Sequence, residues 1–444
     1  MKKQLSVLIV IAILAASPIA TSADVPAPGG PFDTAFRIQN LEADPASCSF
    51  KFYDSAGAEK YASGLLPLIP AGQSAYIYVP VDTTVDPGQY AGVVECDKNV
   101  AAVVNYSDAD SGASYNGVSV PGLVLYAPGI YDDYYSYFSD IVVQNTRDNQ
   151  AIDVKVEIFE AGNPVPVKTQ TATGILANGF ATFEQENLAE LAKNKSYSAK
   201  ITGSGDIAAV VNIYGRASAV GQLYSYNPFS GGSTSAYAPV ILNGYYGYNS
   251  SLVIQNLGDV TADVKITYST GLVKNTTIAP GAADSRYTPA EGLPTNLLTG
   301  AKVESTNGQP LVVLVNESTD KNRAASYVGF SGGANTVSAP IVMKRYYKYN
   351  TSVTCQNLGV AAATMSISYG GIAGSTVSPS VDPSGTYMFY QPADPLLASV
   401  TNWISSATVT SAQPIVCIIN EDMNEAPERD QIMDMLYAYN GIGY

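Results

Sequence analysis

The chain has no histidine in 444 residues, one tryptophan and four cysteines, and charged side chains make up only 14% of it. Without imidazole it lacks the commonest general base, the usual activator of a serine or cysteine nucleophile and the commonest transition-metal ligand. A Ser-His-Asp triad is excluded, and so are zinc sites of the Cys/His type. Gly329-Phe330-Ser331-Gly332-Gly333 spells a nucleophile elbow. With no histidine to serve as its base, and a counterpart at Pro228-Phe229-Ser230-Gly231-Gly232, it reads as a recurring linker. Basic residues are scarce too. Against 38 Asp and Glu stand 23 Lys and Arg, and the net charge of −15 excludes nucleic acid, whose phosphates need a basic partner.

Only one stretch is both long and apolar, and it lies at the start. Lys2 and Lys3 precede an apolar run from Leu5 to Ala16, and Thr21-Ser22-Ala23 offers a small-residue cleavage site. The run is short for a bilayer span of about 20 residues. Residues 1–23 are therefore expected to be a secretory signal peptide, leaving a secreted, extracellular protein with no transmembrane segment. A Pro/Gly-rich lead follows, Asp24-Val25-Pro26-Ala27-Pro28-Gly29-Gly30-Pro31.

What the chain has in abundance is repetition. Tyr134-Tyr135-Ser136-Tyr137, Tyr245-Tyr246-Gly247-Tyr248 and Tyr346-Tyr347-Lys348-Tyr349 each lead, ten residues on, to a Gln-Asn pair at 144, 255 and 356. A fourth pair at Gln39-Asn40 lacks the tyrosines, and successive pairs are 105, 111 and 101 residues apart. Apolar runs ending in Asn105, Asn212, Asn316 and Asn420 keep a similar period. Ala127-Pro128, Ala238-Pro239 and Ala339-Pro340 place each proline 16 residues before its Gln. A period near a hundred is that of a whole small domain rather than a solenoid turn or propeller blade.

Each repeat writes the same alternation in the same slot: Cys48-Ser49-Phe50-Lys51-Phe52, Val154-Lys155-Val156-Glu157-Ile158, Val264-Lys265-Ile266-Thr267-Tyr268 and Met365-Ser366-Ile367-Ser368-Tyr369. Period two marks a half-buried strand. Six or seven such strands per repeat, turn signals between them and almost no helix predict an antiparallel sandwich. The expected fold is all-β: four tandem antiparallel β-sandwich domains in an extended row, over residues 24–120, 121–234, 235–334 and 335–444. This architecture resembles the immunoglobulin-like and fibronectin-like modules of prokaryotic cell-surface proteins, of S-layer, sheath or adhesin type.

The cysteines fall two to a repeat, so Cys48–Cys96 and Cys355–Cys417 are the expected disulfides. The second pair predicts that its two strands face each other through the core.

Three groups of residues are candidates for function. The clusters Tyr134, Tyr135, Tyr137, Tyr245, Tyr246, Tyr248, Tyr346, Tyr347 and Tyr349 read either as packing for the joints between domains or as an exposed platform for sugars or another subunit. Acidic loops follow the periodic Asn. Glu421, Asp422 and Glu425 are weak calcium ligand candidates, set against a plain solvated loop. The periodic Asn residues read as structural caps. No acidic pair recurs at a fixed repeat position, so the chain reads as non-enzymatic, with no cofactor beyond a structural calcium.

The expected function is an exported structural or adhesive component of the cell surface, assembling with itself head-to-tail or laterally into a layer, sheath or filament, or joining other surface proteins. The alternative is a carbohydrate-binding adhesin working as a monomer. A carboxylate-dependent secreted glycoside hydrolase is the distant third.

Overall fold

The computed structural model describes residues 31–161, 163–216, 221–320 and 322–444, with the backbone of Leu5–Ile11. Of the predicted leader only that backbone stretch is described; the Pro/Gly-rich lead up to Gly30 lies outside the described residues.

The first repeat holds β1 (Leu5–Ile11), β2 (Asp33–Asn40), β3 (Cys48–Tyr53), β4 (Glu59–Ala62), β5 (Ser74–Tyr78), β6 (Tyr90–Cys96), β7 (Val100–Ser107) and β8 (Gly112–Asn116). The second holds β9 (Gly122–Tyr134), β10 (Tyr137–Asn145), β11 (Ile152–Glu160), β12 (Lys168–Ile175), β13 (Phe180–Glu184), β14 (Ser196–Gly215) and β15 (Gln222–Tyr226). In the third are β16 (Ser235–Tyr245), β17 (Tyr248–Asn256), β18 (Ala262–Tyr268), β19 (Val273–Ile278), β20 (Ala283–Tyr287), β21 (Leu297–Ser305), β22 (Leu311–Thr319) and β23 (Ala324–Val328). The fourth has β24 (Ala334–Tyr346), β25 (Tyr349–Asn357), β26 (Met365–Tyr369), β27 (Thr376–Val377), β28 (Thr386–Tyr390), β29 (Trp403–Asp422), β30 (Leu436–Asn440) and β31 (Ile442–Gly443).

The fold is all-β and its ladders are antiparallel. Repeat one has two separate sheets, ordered β4-β3-β6-β1 and β5-β2-β7-β8. In repeat two the 20-residue β14 replaces both β6 and β7. Its first half lies between β11 and β9 and its second half between β10 and β15, so one sheet folds over on itself. Repeat four does the same with β29, and repeat three divides the work between β21 and β22. The alternating strands β3, β11, β18 and β26 each put one face into a core, as period two requires.

The four repeats do not form an extended row. The last strands of the repeats, β8, β15, β23 and β30, lie against one another around a common axis, and repeat four closes onto repeat one. At one end of that axis Asn440 joins two repeats. Its N–H donates to Asn116 Oδ1 (3.0 Å) and its Nδ2 to the Val328 carbonyl, while Asn116 N–H donates to Asn227 Oδ1 (3.1 Å). At the other end Asp434 is fully buried. Its carboxylate accepts the N–H of Leu223 from repeat two and of Ala324 from repeat three, and its own N–H donates to the Asp110 carbonyl of repeat one. Head-to-tail growth presupposed uncovered end faces on repeats one and four, and in the ring these faces cover each other.

The ring has a repeating physical cause. The runs before the periodic Asn are apolar at successive positions, not alternate ones, because both faces of the strand are buried. Val104, Val211, Val315 and Ile419 enter their own repeat's core, whereas Val210, Leu314, Ile418 and Val103 enter the core of the preceding repeat, repeat four preceding repeat one. Burying such a side chain contributes about 1.5–3 kcal/mol.

The Gln-Asn pairs are latches within each repeat. Asn40, Asn145, Asn256 and Asn357 each donate two side-chain hydrogen bonds to carbonyls of two separate loops, and each Oδ1 accepts the N–H two residues on. The same three bonds hold the same corner four times.

Cys48 is bonded to Cys96 and Cys355 to Cys417. Each pair sits directly opposite on neighbouring strands of one ladder, β3 with β6 and β25 with β29, at Cα separations of 4.2 and 4.0 Å. The second bridge therefore links adjacent strands, and the expectation that its strands face each other through the core is corrected. No helix among the described residues is long and apolar enough to cross a membrane.

Candidate functional site

The Tyr-Tyr-x-Tyr phrases are two-residue hairpin turns. Tyr134 pairs with Tyr137, Tyr245 with Tyr248 and Tyr346 with Tyr349. Both central residues have positive φ, 51° and 68° at Tyr135-Ser136, 49° and 87° at Tyr246-Gly247, and 46° and 75° at Tyr347-Lys348. That is the backbone of a type I′ turn, whose twist matches the strands it joins. The three tyrosines of a cluster have three fates. The first is half-buried and meets the second edge-on at 4.8 Å. The second, Tyr135, Tyr246 or Tyr347, is 68%, 81% or 73% exposed. The third reaches inward: Tyr137 Oη donates to Gln222 Oε1, and Tyr349 Oη lies 3.0 Å from Met435 Sδ. The nine rings thus neither gather into one platform nor all pack joints.

Tyr248 alone among the third tyrosines bonds a charged side chain of the next repeat, and it does so in a cleft with a charged floor. A cavity of about 310 Å³ opens between repeats three and four. The hairpin rings Tyr245 and Tyr246 and, from β28, Met388 and Tyr390 form its walls. Its floor is charged. Arg323 Nη1 meets Asp422 Oδ1 at 2.6 Å, with the two side chains 3% and 8% exposed. Tyr248 donates to Asp422 Oδ2, and Arg323 Nη2 donates to the carbonyls of Met423 and Glu428, both at 2.9 Å. Asn420 Nδ2 donates to Glu317 Oε2 at 2.7 Å.

Strand period places these groups. Asn420 and Asp422 share the face of β29 turned to repeat three. Glu421 between them turns the other way and accepts Asn105 Nδ2 of repeat one at 2.8 Å. Two polar atoms of the cleft lining have no partner among the described residues: Glu317 Oε1 and Arg323 Nε, each fully buried. A buried polar atom without a partner costs about 1–3 kcal/mol, so both favour a ligand or water that completes them. Burial pushes Glu317 up to about 8 and Asp422 up to about 6, the latter against the opposing pull of Arg323 and Tyr248. Burial also works against the Arg323 charge, and Asp422 and Tyr248 outweigh it, so that guanidinium stays protonated.

The three calcium ligand candidates do not converge. Glu421 bonds Asn105, Asp422 pairs with Arg323, and Glu425 pairs with Arg345 at 3.0 Å. Among the described residues no three acidic or cysteine side chains gather as a metal site. Asp108 in repeat one caps its own turn, accepting the N–H groups of Asp110 and Ser111. The linker serine Ser331 lies in a second cavity of about 380 Å³ beside Asn116, Asn227 and Asn440, with no base near it.

Glu317 and Arg323 were not among the sequence candidates. One signal was present: Glu317 and Glu421 directly follow a periodic Asn at the end of an apolar strand, where repeats one and two have Tyr106 and Ile213.

No protein-family model matches the chain, and no curated protein does. Several solved structures match, and the likeness of two is limited. A crystal structure of Thermotoga maritima 1070 has 24% identity over 22% of this chain and 94% of its own, at a TM-score of 0.20. An α-L-rhamnosidase of Streptomyces avermitilis complexed with L-rhamnose has 7% identity over 85% of this chain and 54% of its own, at a TM-score of 0.15. The chain thus spans about half the length of that enzyme. Neither likeness carries an argument about function.

Proposed function

We propose that the protein is an exported, non-catalytic binding protein of the cell surface, in which four sandwich units resembling immunoglobulin-like modules close into a ring and hold a small polar ligand between repeats three and four. The units correspond to residues 24–120, 121–234, 235–334 and 335–444. The observation that carries the reading is Glu317, buried with one carboxylate oxygen unpartnered in the lining of a cleft walled by tyrosines. A carbohydrate answers this description best. Its hydroxyls donate to Glu317 and accept from Arg323, and its C–H face lies on Tyr245 or Tyr246. Two disulfides and the lack of any membrane-crossing helix among the described residues accord with an extracellular place.

This favours the carbohydrate-binding alternative over a filament subunit, because the closed ring leaves no free end faces for head-to-tail growth. Lateral contact with other copies or surface proteins stays compatible with it.

A glycan array followed by calorimetry on the best hit tests the proposal. Glu317→Gln and Tyr245→Ala are each expected to weaken binding at least tenfold while leaving the fold intact by circular dichroism. Retention of no glycan, or binding untouched by both substitutions, would reject it.

A further inference from the structure

Repeat one differs from the others in the strand that completes its outer ladder. In repeats two, three and four the slot beside the first half of β14, beside β21 and beside the first half of β29 is filled by the repeat's own Ala-Pro strand, β9, β16 or β24. In repeat one the slot beside β6 is filled by β1, which runs antiparallel to it from Leu5 opposite Cys96 to Ile11 opposite Tyr90. That segment is the apolar heart of the leader. Measured back from the Gln-Asn pair, the Ala-Pro position of repeat one falls on Ser22-Ala23, at the expected cleavage point. Removing the leader takes away both the segment now in the slot and the position that fills it elsewhere.

An independent observation marks the same gap. The buried tyrosine of each last strand ties that strand to the Ala-Pro strand: Tyr226 donates to the Pro128 carbonyl, Tyr327 to Val240 and Tyr439 to Ile341. The equivalent Tyr115 is 3% exposed, and its hydroxyl has no partner among the described residues. The slot is also shaped differently. Ala127 faces Ala199, Ala238 faces Ala301 and Ala339 faces Ala407, but in repeat one the inner position is Gly92, opposite Ile9.

We infer that, after leader removal, the edge of β6 accepts an extended segment of a partner protein, which pairs along Tyr90–Cys96 and lends a carbonyl to Tyr115. The inference rests on the export step of the proposed function. The partner's segment is about seven residues long, apolar and free of proline along the paired stretch, and bulkier opposite Gly92 than the internal strands are opposite their alanines. The chain's own three Ala-Pro strands are hydrogen-bonded in place, and the lead from Asp24 to Pro31 carries Pro26, Pro28 and Pro31, which have no N–H for a ladder.

The test uses residues 24–444 and the full chain, each titrated with a labelled peptide of the sequence Leu5–Ile11 bearing solubilising lysines at its end. Residues 24–444 are expected to bind it one to one and to gain hydrogen-exchange protection at Tyr90–Cys96, whereas the full chain does not bind. Gly92→Val should weaken binding at least tenfold. Tyr115→Phe should leave binding of this peptide unchanged, because the same segment in the slot leaves that hydroxyl without a partner. No binding by residues 24–444, protection of β6 without peptide, or dimers of residues 24–444 that exclude the peptide would each overturn the inference. Intact mass of the exported protein is read separately. A retained Leu5–Ile11 shows that the export step has failed, whatever the peptide does.

Discussion

The joint between repeats three and four and the joint between repeats one and two use the same backbone positions for different chemistry. In the first, Asn420 reaches across to Glu317, and Asp422, two residues on, meets Arg323. In the second, the equivalent Asn212 accepts from the hydroxyl of Tyr106, which also bonds Ser225. The apolar part is common to both: Ile418 enters the core of repeat three as Val210 enters that of repeat one. Geometry is thus held by the apolar residue two before the Asn, while the residue after the Asn is free to vary. At 317 the acid is a buried carboxyl group in the lining of a cleft, whereas at 106 the tyrosine hydroxyl bonds Asn212 and Ser225.

The largest expected effect separates the two joints directly. Arg323→Ala leaves Asp422 buried and unpaired, and should cost about 3–5 kcal/mol. Tyr106→Phe removes neutral hydrogen bonds and should cost about 1 kcal/mol. Urea denaturation of both variants reads the difference. Equal midpoints would mean that the ion pair is no more than an accessory to the joint.

The next effect should be shared by the joints. Leu314→Ala and Ile418→Ala each open a cavity in the preceding repeat's core and should lower stability by about 2–4 kcal/mol. If either is tolerated, with melting unchanged, the lent side chain does not hold the ring.

These two kinds of residue were unequally legible in the sequence. The all-β class, the period and the slot of strands such as β11 and β18 were readable because alternation is local. The ring was not, although its signal was on the page. Val103-Val104, Val210-Val211 and Ile418-Ile419 are apolar at neighbouring positions, and a strand with one wet face would not be. Reading them as a core run missed the second buried face. The hairpin at Tyr246-Gly247 was hidden because tyrosine is an unusual residue at positive φ. Arg323 was invisible for another reason: its partner Asp422 lies 99 residues away, and no local pattern announces a pairing that depends on ring closure.

A third effect is a slope. Glu317 and Glu421 are both pushed by burial from 4.5 to about 8, so the folded state keeps protons that the unfolded chain loses. Between pH 4.5 and about 8 the folded state binds more protons, and stability must fall as pH rises, by about 1.4 kcal/mol per pH unit for each group at most. Below pH 4.5 both glutamates are protonated in the folded and the unfolded state, and their share of the slope vanishes. Glu317→Gln and Glu421→Gln should each flatten the profile measured by thermal unfolding from pH 5 to 8. Tyr106→Phe removes no carboxyl group, keeps the Asp140 bond to Asn212, and should leave the slope as it was.

The smallest effect concerns the tyrosines within one hairpin. Tyr246 stands 81% exposed at the tip, whereas Tyr248 is bonded to Asp422 and Arg323. Replacing the exposed ring buries nothing and unmakes no hydrogen bond, so Tyr246→Ser should change stability by less than about 0.5 kcal/mol. Tyr248→Phe removes one donor to a buried carboxylate and should cost about 1.5–3 kcal/mol, as bonds to charged groups do. The pair also divides structure from binding. Tyr246 lines the cleft, so its loss should lower glycan affinity while the melting temperature holds. Should Tyr246→Ser destabilise the fold as much as Tyr248→Phe, the tip ring would be part of the joint. The contrast between a closed apolar joint and a cleft walled by spare aromatic surface would then fail at the residue where it is easiest to measure.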